Sequence, residues 1–264
     1  MGYYRDFLRP VREKIIYHYT TLSTFKSILE SQSLHLTHIA YLNDLTEFED
    51  GQRFFYNRLR LPKKNKEHRD LINRIEEAEI YAGNMSNLCV FSLCAKGNLL
   101  NQWRVYGQDG FGLAIGFNAQ VIRKICKEND LYFGKCFYSD KMKERACNKI
   151  LGKLFSEKDN KFRSIYGATF GLFSKNKHFA EEKEIRIATN PSVEVDIKER
   201  NNRLVTFYCL NIGRELSQLI KEVVIGPCHQ DNIKEIRQTI NVLLQKRKIH
   251  SDIISSNIPY RSSR

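Results

Sequence analysis

At 264 residues, with 42% hydrophobic and 11% aromatic side chains, the chain is long enough to bury a sizeable core, and a disordered polymer is excluded. The formal charge of +13 favours polyanionic partners, although charge of this size also serves solubility and says little about fold. No apolar run approaches the ~18 residues of a membrane span, and the charged stretch from Met1 to Lys14 lacks the apolar core of a signal peptide, so a cytoplasmic protein is expected.

In chain order, Lys14 to Tyr19 reads as a strand, and Thr20 and Thr21 offer cap hydroxyls to a helix on Leu22, Phe25, Ile28 and Leu29. Ser33 to His38 alternates as a second strand. Asn43-Asp44 is a cap signal for a helix carrying Leu45, Phe48, Phe55 and Leu59; Pro62 and its lysines break the pattern. A helix from about 67 to 81 follows, then a buried strand from Leu88 to Leu93. Leu99 to Tyr106 reads as one or two helical turns and Phe111 to Phe117 as a strand.

Ala119 to Glu128 is helical and Leu131 to Tyr138 extended. Asp140 to Ser156 is an amphipathic helix with Met142, Ala146, Ile150 and Leu154 at i+4, and a further helix runs from about Lys161 to Phe173. Strands are expected at Glu182–Thr189, Val193–Ile197, Arg203–Leu210, Glu222–Gly226 and Ile249–Ile254, with a helix at Asp231–Lys246 and a polar tail from 255 to 264. Strands and helices mix without regular βαβ spacing, so the class is α+β in a single domain over 1–264, with a helical insertion at about 140–178. No glycine-rich dinucleotide or phosphate loop is present. The odd number of cysteines, at 89, 94, 126, 136, 147, 209 and 228, without C-x-x-C spacing, points to reduced thiols rather than disulfides or zinc.

Several groups could carry chemistry. His18 lies in a strand beside Tyr17 and Tyr19 and could bond a ribose hydroxyl, or could be a satisfied core histidine. Strand periodicity puts Glu182, Glu184 and Arg186 on one face, opposite Ile185 and Ile187. That row is either a solvated set of ion pairs or a carboxylate site that stabilises positive charge on a ribose as an N-glycosidic bond breaks. Trp103 and Tyr106 share a helical face, as core anchors or as rings over a cationic nicotinamide. The acids around Asp44, Glu47, Glu49 and Asp50 read as helix-capping and first-turn charges, and no His or Cys spacing supports a metal. Lys141, Arg145, Lys149 and Lys153 recur at i+4, extended in sequence by Lys158, Lys161, Arg163, Lys175 and Lys177: a phosphate-tracking row or an ordinary solvated face.

An ordered set of segments then gives a resemblance. Tyr17-His18-Tyr19-Thr20-Thr21-Leu22, Leu42-Asn43-Asp44, Cys89-Val90-Phe91-Ser92, Leu100 with Trp103 and Tyr106, Gly110-Phe111-Gly112, Tyr138, Lys175 with Phe179, Glu182-Lys183-Glu184-Ile185-Arg186 and Val224-Ile225-Gly226 together resemble the bacterial domain of unknown function 2971. Leu45 replaces that family's usual proline, and Phe179 its usual tryptophan. The family in turn is similar to a divergent branch of the ADP-ribosyltransferase superfamily.

That resemblance implies a split β-sheet core flanked by helices, with NAD as substrate bound in a cleft between two small sheets. It implies Glu184 as catalytic, His18 on the NAD ribose and Asn43 and Asp44 in an NAD-contacting loop; the reading of the residues adds His18 and Glu182 to the catalytic set, and Tyr19, Thr20, Trp103, Tyr106 and Arg186 to the NAD contacts. It implies a toxin or phage-defence effector with an antitoxin or defence-system partner; the basic row Lys141, Arg145, Lys149 and Lys153 suggests a DNA or RNA acceptor, and the spacings and composition suggest no metal or membrane. NAD hydrolysis with water as acceptor is a close variant. The competing expectation is a non-catalytic nucleic-acid-binding or sensor protein whose basic surface is its function; a nuclease using Asp44, Glu47 and a divalent ion is a distant third.

Overall fold

The computed structural model describes residues 6–42, 46–60, 73, 87–156, 164–200 and 202–262. The helix expected at about 67–81 and its flanking loop fall outside the described residues, apart from residue 73.

In chain order the elements are β1 (Ile15–Thr20), α1 (Leu22–Ser31), β2 (Ser33–His38), α2 (Thr46–Arg60), β3 (Cys89–Cys94), α3 (Leu100–Val105), β4 (Leu113–Asn118), α4 (Ala119–Glu128) and β5 (Tyr132–Lys135). Then follow α5 (Asp140–Ser156), α6 (Ser164–Phe173), β6 (Glu184–Ala188), β7 (Asp196–Arg200), β8 (Arg203–Asn211), α7 (Leu216–Leu219), β9 (Ile220–Ile225), α8 (Ile233–Lys246) and β10 (Asp252–Ser255). The class is α+β, as expected. Thr21 caps α1, its hydroxyl accepting from the Thr24 amide at 3.1 Å. The strand expected at Val193–Ile197 forms instead at Asp196–Arg200, because it pairs with β8 in a hairpin.

Ten strands make one sheet in the order β10-β9-β4-β1-β3-β2-β8-β7, with β6 on β3 and β5 on β6. This replaces the expected pair of small sheets. Pairing is antiparallel except between β9 and β10.

β3 has three neighbours. β6 takes one edge from Val90 to Cys94, while β1 pairs only at Cys94 and β2 only at Cys89 and Val90. A strand has two edges, so β1 and β2 share the second one at opposite ends. The sheet therefore splits beside Ser92, the single exposed residue of β3.

Alternation decides what each face carries. Phe91, Leu93, Ile115, Ile185 and Ile187 join Ile16, Phe25, Ile122 and Ile240 in the largest core, beneath α1, α4 and α8. On the other face Val90 and Ala188 join a second cluster with Phe55, Ile150 and Phe170 of α2, α5 and α6. Cys94 joins a third, with Tyr19 and Trp103. Ser92, Glu184 and Arg186 lie between these two clusters on that face.

Candidate functional site

Tyr17, His18, Tyr19, Ser92, Leu93, Cys94, Gln102, Tyr106, Glu182 and Glu184 line a cleft of about 380 Å³, counting the open space at its mouth. Its enclosed part is only about 70 Å³, well below the usual range for ligand sites, so a nucleoside-sized group would sit largely at the open mouth. The cleft lies at the sheet split, where neither β1 nor β2 covers Ser92.

His18 fills part of the gap. Its Nδ1–H donates to the Ser92 carbonyl at 3.0 Å, and its ring stacks on Phe91 with centroids 4.3 Å apart. The acceptor fixes the tautomer: Nδ1 carries the proton, so neutral Nε2 is left as an acceptor. Burial lowers the His18 pKa to about 4, the Ser92 carbonyl opposing and Arg200 adding to the effect.

The opposite wall is ionic. Glu184 accepts from Arg186 through two bonds, Nε to Oε1 at 2.7 Å and Nη2 to Oε2 at 3.1 Å, and from Lys175 Nζ at 2.7 Å. Arg186 also reaches Glu47 at 3.1 Å and the Leu172 carbonyl at 2.7 Å, and Lys175 reaches Glu182 at 2.5 Å. Burial alone would raise the Glu184 pKa, but Arg186 and then Lys175 outweigh it and hold the carboxyl at about 2. Glu47 goes the other way, since its burial exceeds what Arg186 and Lys175 return. Three carboxylates (Glu47, Glu182, Glu184) against two cations (Lys175, Arg186) leave one excess negative charge.

The fold brings His18, Tyr19, Tyr106, Glu182 and Glu184 to one cleft, and several expectations need correction. Glu182 is not in the strand: it ends a 3-10 helix (Lys177–Glu182), and Lys183, at φ 49°, turns the chain into β6. The face expected to be open is closed, every residue of β6 being buried, because α2 and α6 cover it. Arg186 is 4% exposed and binds protein carboxylates and a carbonyl rather than facing the cleft.

Trp103 is fully buried, its indole N–H donating to Asn98 Oδ1 at 2.9 Å and its ring edge-on to Tyr19, so it is a core anchor. Tyr106 caps the same helix, and its ring is 38% exposed at the cleft. Thr20 is buried and does not line the cleft. The Tyr19 hydroxyl donates to the Lys96 carbonyl and accepts from the Leu99 amide, both at 2.9 Å, so it is already partnered within the protein. Asn43 and Asp44 lie outside the described residues.

Along α5, Lys141, Arg145 and Lys149 are exposed, while Lys153 is half-buried and paired with Asp6 at 2.7 Å. Lys175 is not on that stripe at all but in the ionic cluster; Lys158, Lys161 and Arg163 lie outside the described residues. Met142, expected on the apolar face of α5, is exposed, and Cys147 is buried instead. Among the described residues no group of His, Cys, Asp and Glu is arranged for a metal.

Sequence reasoning read Glu47 as a first-turn acid or a nuclease metal ligand rather than a partner of Arg186, and missed Gln102, Ser92 and Cys94 as site members. Glu47 carried a signal, being an apolar-phase position in α2 occupied by an acid; Ser92, between apolar Phe91 and Leu93, carried another. No curated protein and no solved structure matches the chain. Residues 102–187, which run from Gln102 through Tyr106, Lys175 and Glu184 into β6, match the family model described as Protein of unknown function (DUF2971), the family that the ordered motifs resemble.

Proposed function

We propose that the cleft binds NAD and that the protein is an ADP-ribosyltransferase-like enzyme. One observation carries the reading: a histidine whose Nδ1 is bonded to Ser92, leaving Nε2 as an acceptor, lines the same small cleft as Glu182 and Glu184 of a carboxylate cluster with one excess negative charge. Nε2 accepts a hydrogen bond from a ribose hydroxyl. The anionic wall favours the cationic nicotinamide ring and then the ribose as it takes up the charge. In that step the bond from ribose C1′ to nicotinamide breaks, its electron pair leaves with nicotinamide, and a new C1′ bond forms to an acceptor that loses a proton.

The two glutamates divide the work. Glu184, with both oxygens held by cations, supplies a fixed negative charge that no working pH removes. Glu182 is the more exposed, with a side chain 16% accessible and Lys175 as its ion-pair partner, so it is the carboxylate that touches substrate. Tyr106 supplies an aromatic wall for the nicotinamide. Exposed Lys141, Arg145 and Lys149 support a nucleic-acid acceptor. The same three cations, with no chemistry in the cleft, are what favours the second reading, a non-catalytic nucleic-acid-binding protein.

The test is to incubate the protein with NAD labelled in the adenosine moiety, together with DNA, RNA and protein acceptors, and to follow free nicotinamide and transferred label. Nicotinamide release, abolished in Glu182→Gln and His18→Ala forms that keep the wild-type circular dichroism, is expected. Folded wild type that neither binds nor consumes NAD with any acceptor sinks the proposal. In a toxin or defence effector held in check by a partner, expression alone arrests growth, and Glu182→Gln relieves it.

A further inference from the structure

The β7–β8 hairpin carries charge that the cleft does not use. In its register Arg200 is directly opposite Arg203 and Lys198 opposite Val205, so all three cations share one face. Following the pairs Phe207↔Thr37 and Thr37↔Val90, this is the sheet face that also carries Ser92 and Glu184. Arg200 and Arg203 are exposed, and among the described residues neither has a carboxylate within ion-pair distance. The one acid on that face of the hairpin is Asp196, at its far end. Glu199 points to the other face, and its carboxylate accepts from the Asn202 amide at 3.0 Å.

Like charges directly opposite across a ladder are unfavourable, and this pair is kept without a counter-charge. Lys198 is held nearby: its Nζ bonds His35 Nδ1 at 2.8 Å and lies 4.5 Å from the Phe207 centroid. Burial and then Arg200 push the Lys198 pKa down, with Cys209 opposing. His35 is lowered by burial and then by Lys198, with Asp196 opposing. Arg200 is also near enough for its charge to disfavour protonation of His18. The cations thus crowd one another on one face of the hairpin.

We propose that this face of the β7–β8 hairpin, through Arg200, Arg203 and Lys198, binds the phosphodiester backbone of a nucleic-acid strand. An anionic bilayer fits less well. The apolar residues of the hairpin, Ile197 and Leu204, at 68% and 69% exposed, are on the opposite face, so a bilayer could not meet the cations and the apolar groups together. The proposal concerns binding and stands apart from whether the cleft turns over NAD.

The experiment measures equilibrium binding of a fluorescent single-stranded oligonucleotide across a salt series, for wild type, Arg200→Ala/Arg203→Ala, Arg200→Lys/Arg203→Lys, and the α5 variant Lys141→Ala/Arg145→Ala/Lys149→Ala. The alanine pair should weaken binding about tenfold at low salt and flatten the slope of log K against log salt by about 1.4, two phosphate contacts at ~0.7 each. The lysine pair should keep most of that slope, and whatever binding the α5 variant loses should leave the hairpin's share of the slope in place. Wild type without salt-sensitive binding, or loss confined to the α5 variant, overturns the proposal. So does an alanine pair that loses NAD affinity or binding to phosphatidylserine vesicles while holding the oligonucleotide as wild type does, which would assign the cations to a pyrophosphate or to a membrane.

Discussion

Glu184 and His18 share a wall-to-wall relation across the cleft, but their environments act on them differently. Glu184 is fixed by Arg186 and Lys175, and a buried carboxylate so held is costly to neutralise by mutation. Glu184→Gln is expected to lower stability by about 3–5 kcal/mol, because Arg186 and Lys175 stay buried with one fewer counter-charge; denaturant unfolding at pH 7 checks this. Glu182→Gln, nearer solvent, should cost far less, which is why it is the better probe of chemistry.

Acid dependence follows from the same two residues. The folded state lowers His18 from 6.5 to about 4. Between those values the unfolded chain takes up a proton that the folded chain refuses, so stability falls as pH drops from 6.5 to 4 and this contribution is constant below. Glu184 is lowered from 4.5 to about 2, so its stabilisation is complete above 4.5 and is lost as pH falls towards 2. Unfolding midpoints measured against pH should fall in two limbs. His18→Gln should flatten the limb between 6.5 and 4 and leave the lower one. An unchanged upper limb would mean that His18 is charged in the folded protein.

At the scale of elements, α3 does two jobs with residues three apart. Trp103 fixes it to β1 through Tyr19, and the C-terminal tail fixes it again: Ser256 Oγ donates to Asn98 Oδ1 at 2.7 Å, the atom that also receives the Trp103 N–H. Gly112 lets the following turn close on β1, since a Cβ there would stand 2.2 Å from the Thr20 carbonyl oxygen. Tyr106 is then carried to the cleft by a helix that cannot shift. Trp103→Ala should destabilise by about 3–5 kcal/mol, while Tyr106→Ala should leave the unfolding midpoint near wild type and weaken NAD binding in calorimetry. The opposite pattern would make Tyr106 the anchor and Trp103 the ligand contact. The i+3 spacing was legible in the sequence; which ring turned inward was not, because that depends on Tyr19 and Asn98 being beside Trp103.

For the whole molecule, all seven cysteines are free, five of them buried. Burial raises Cys94 to about 11 and Cys89 to about 12, which keeps both thiols protonated and poorly reactive. Thermal unfolding midpoints should therefore be the same with and without a reducing agent, whereas a fall on reduction would require a disulfide. Among the described residues no helix is long and apolar enough to cross a membrane.

The sequence by itself determined the α+β class, most element positions and the early histidine strand, because period-two and i+4 patterns and cap residues are local signals. It also singled out His18, Glu182 and Glu184 through two short segments. Only the tertiary structure decided what those residues face. The split of the sheet at Ser92 arises because β1 and β2 compete for one edge of β3, a contact between segments about 50 to 80 residues apart. The same holds for the ionic cluster: α2 brings Glu47 from 139 residues away to Arg186 and turns an apparent surface row into a buried one. Periodicity tells which residues share a face, but what covers that face is set by packing between distant elements.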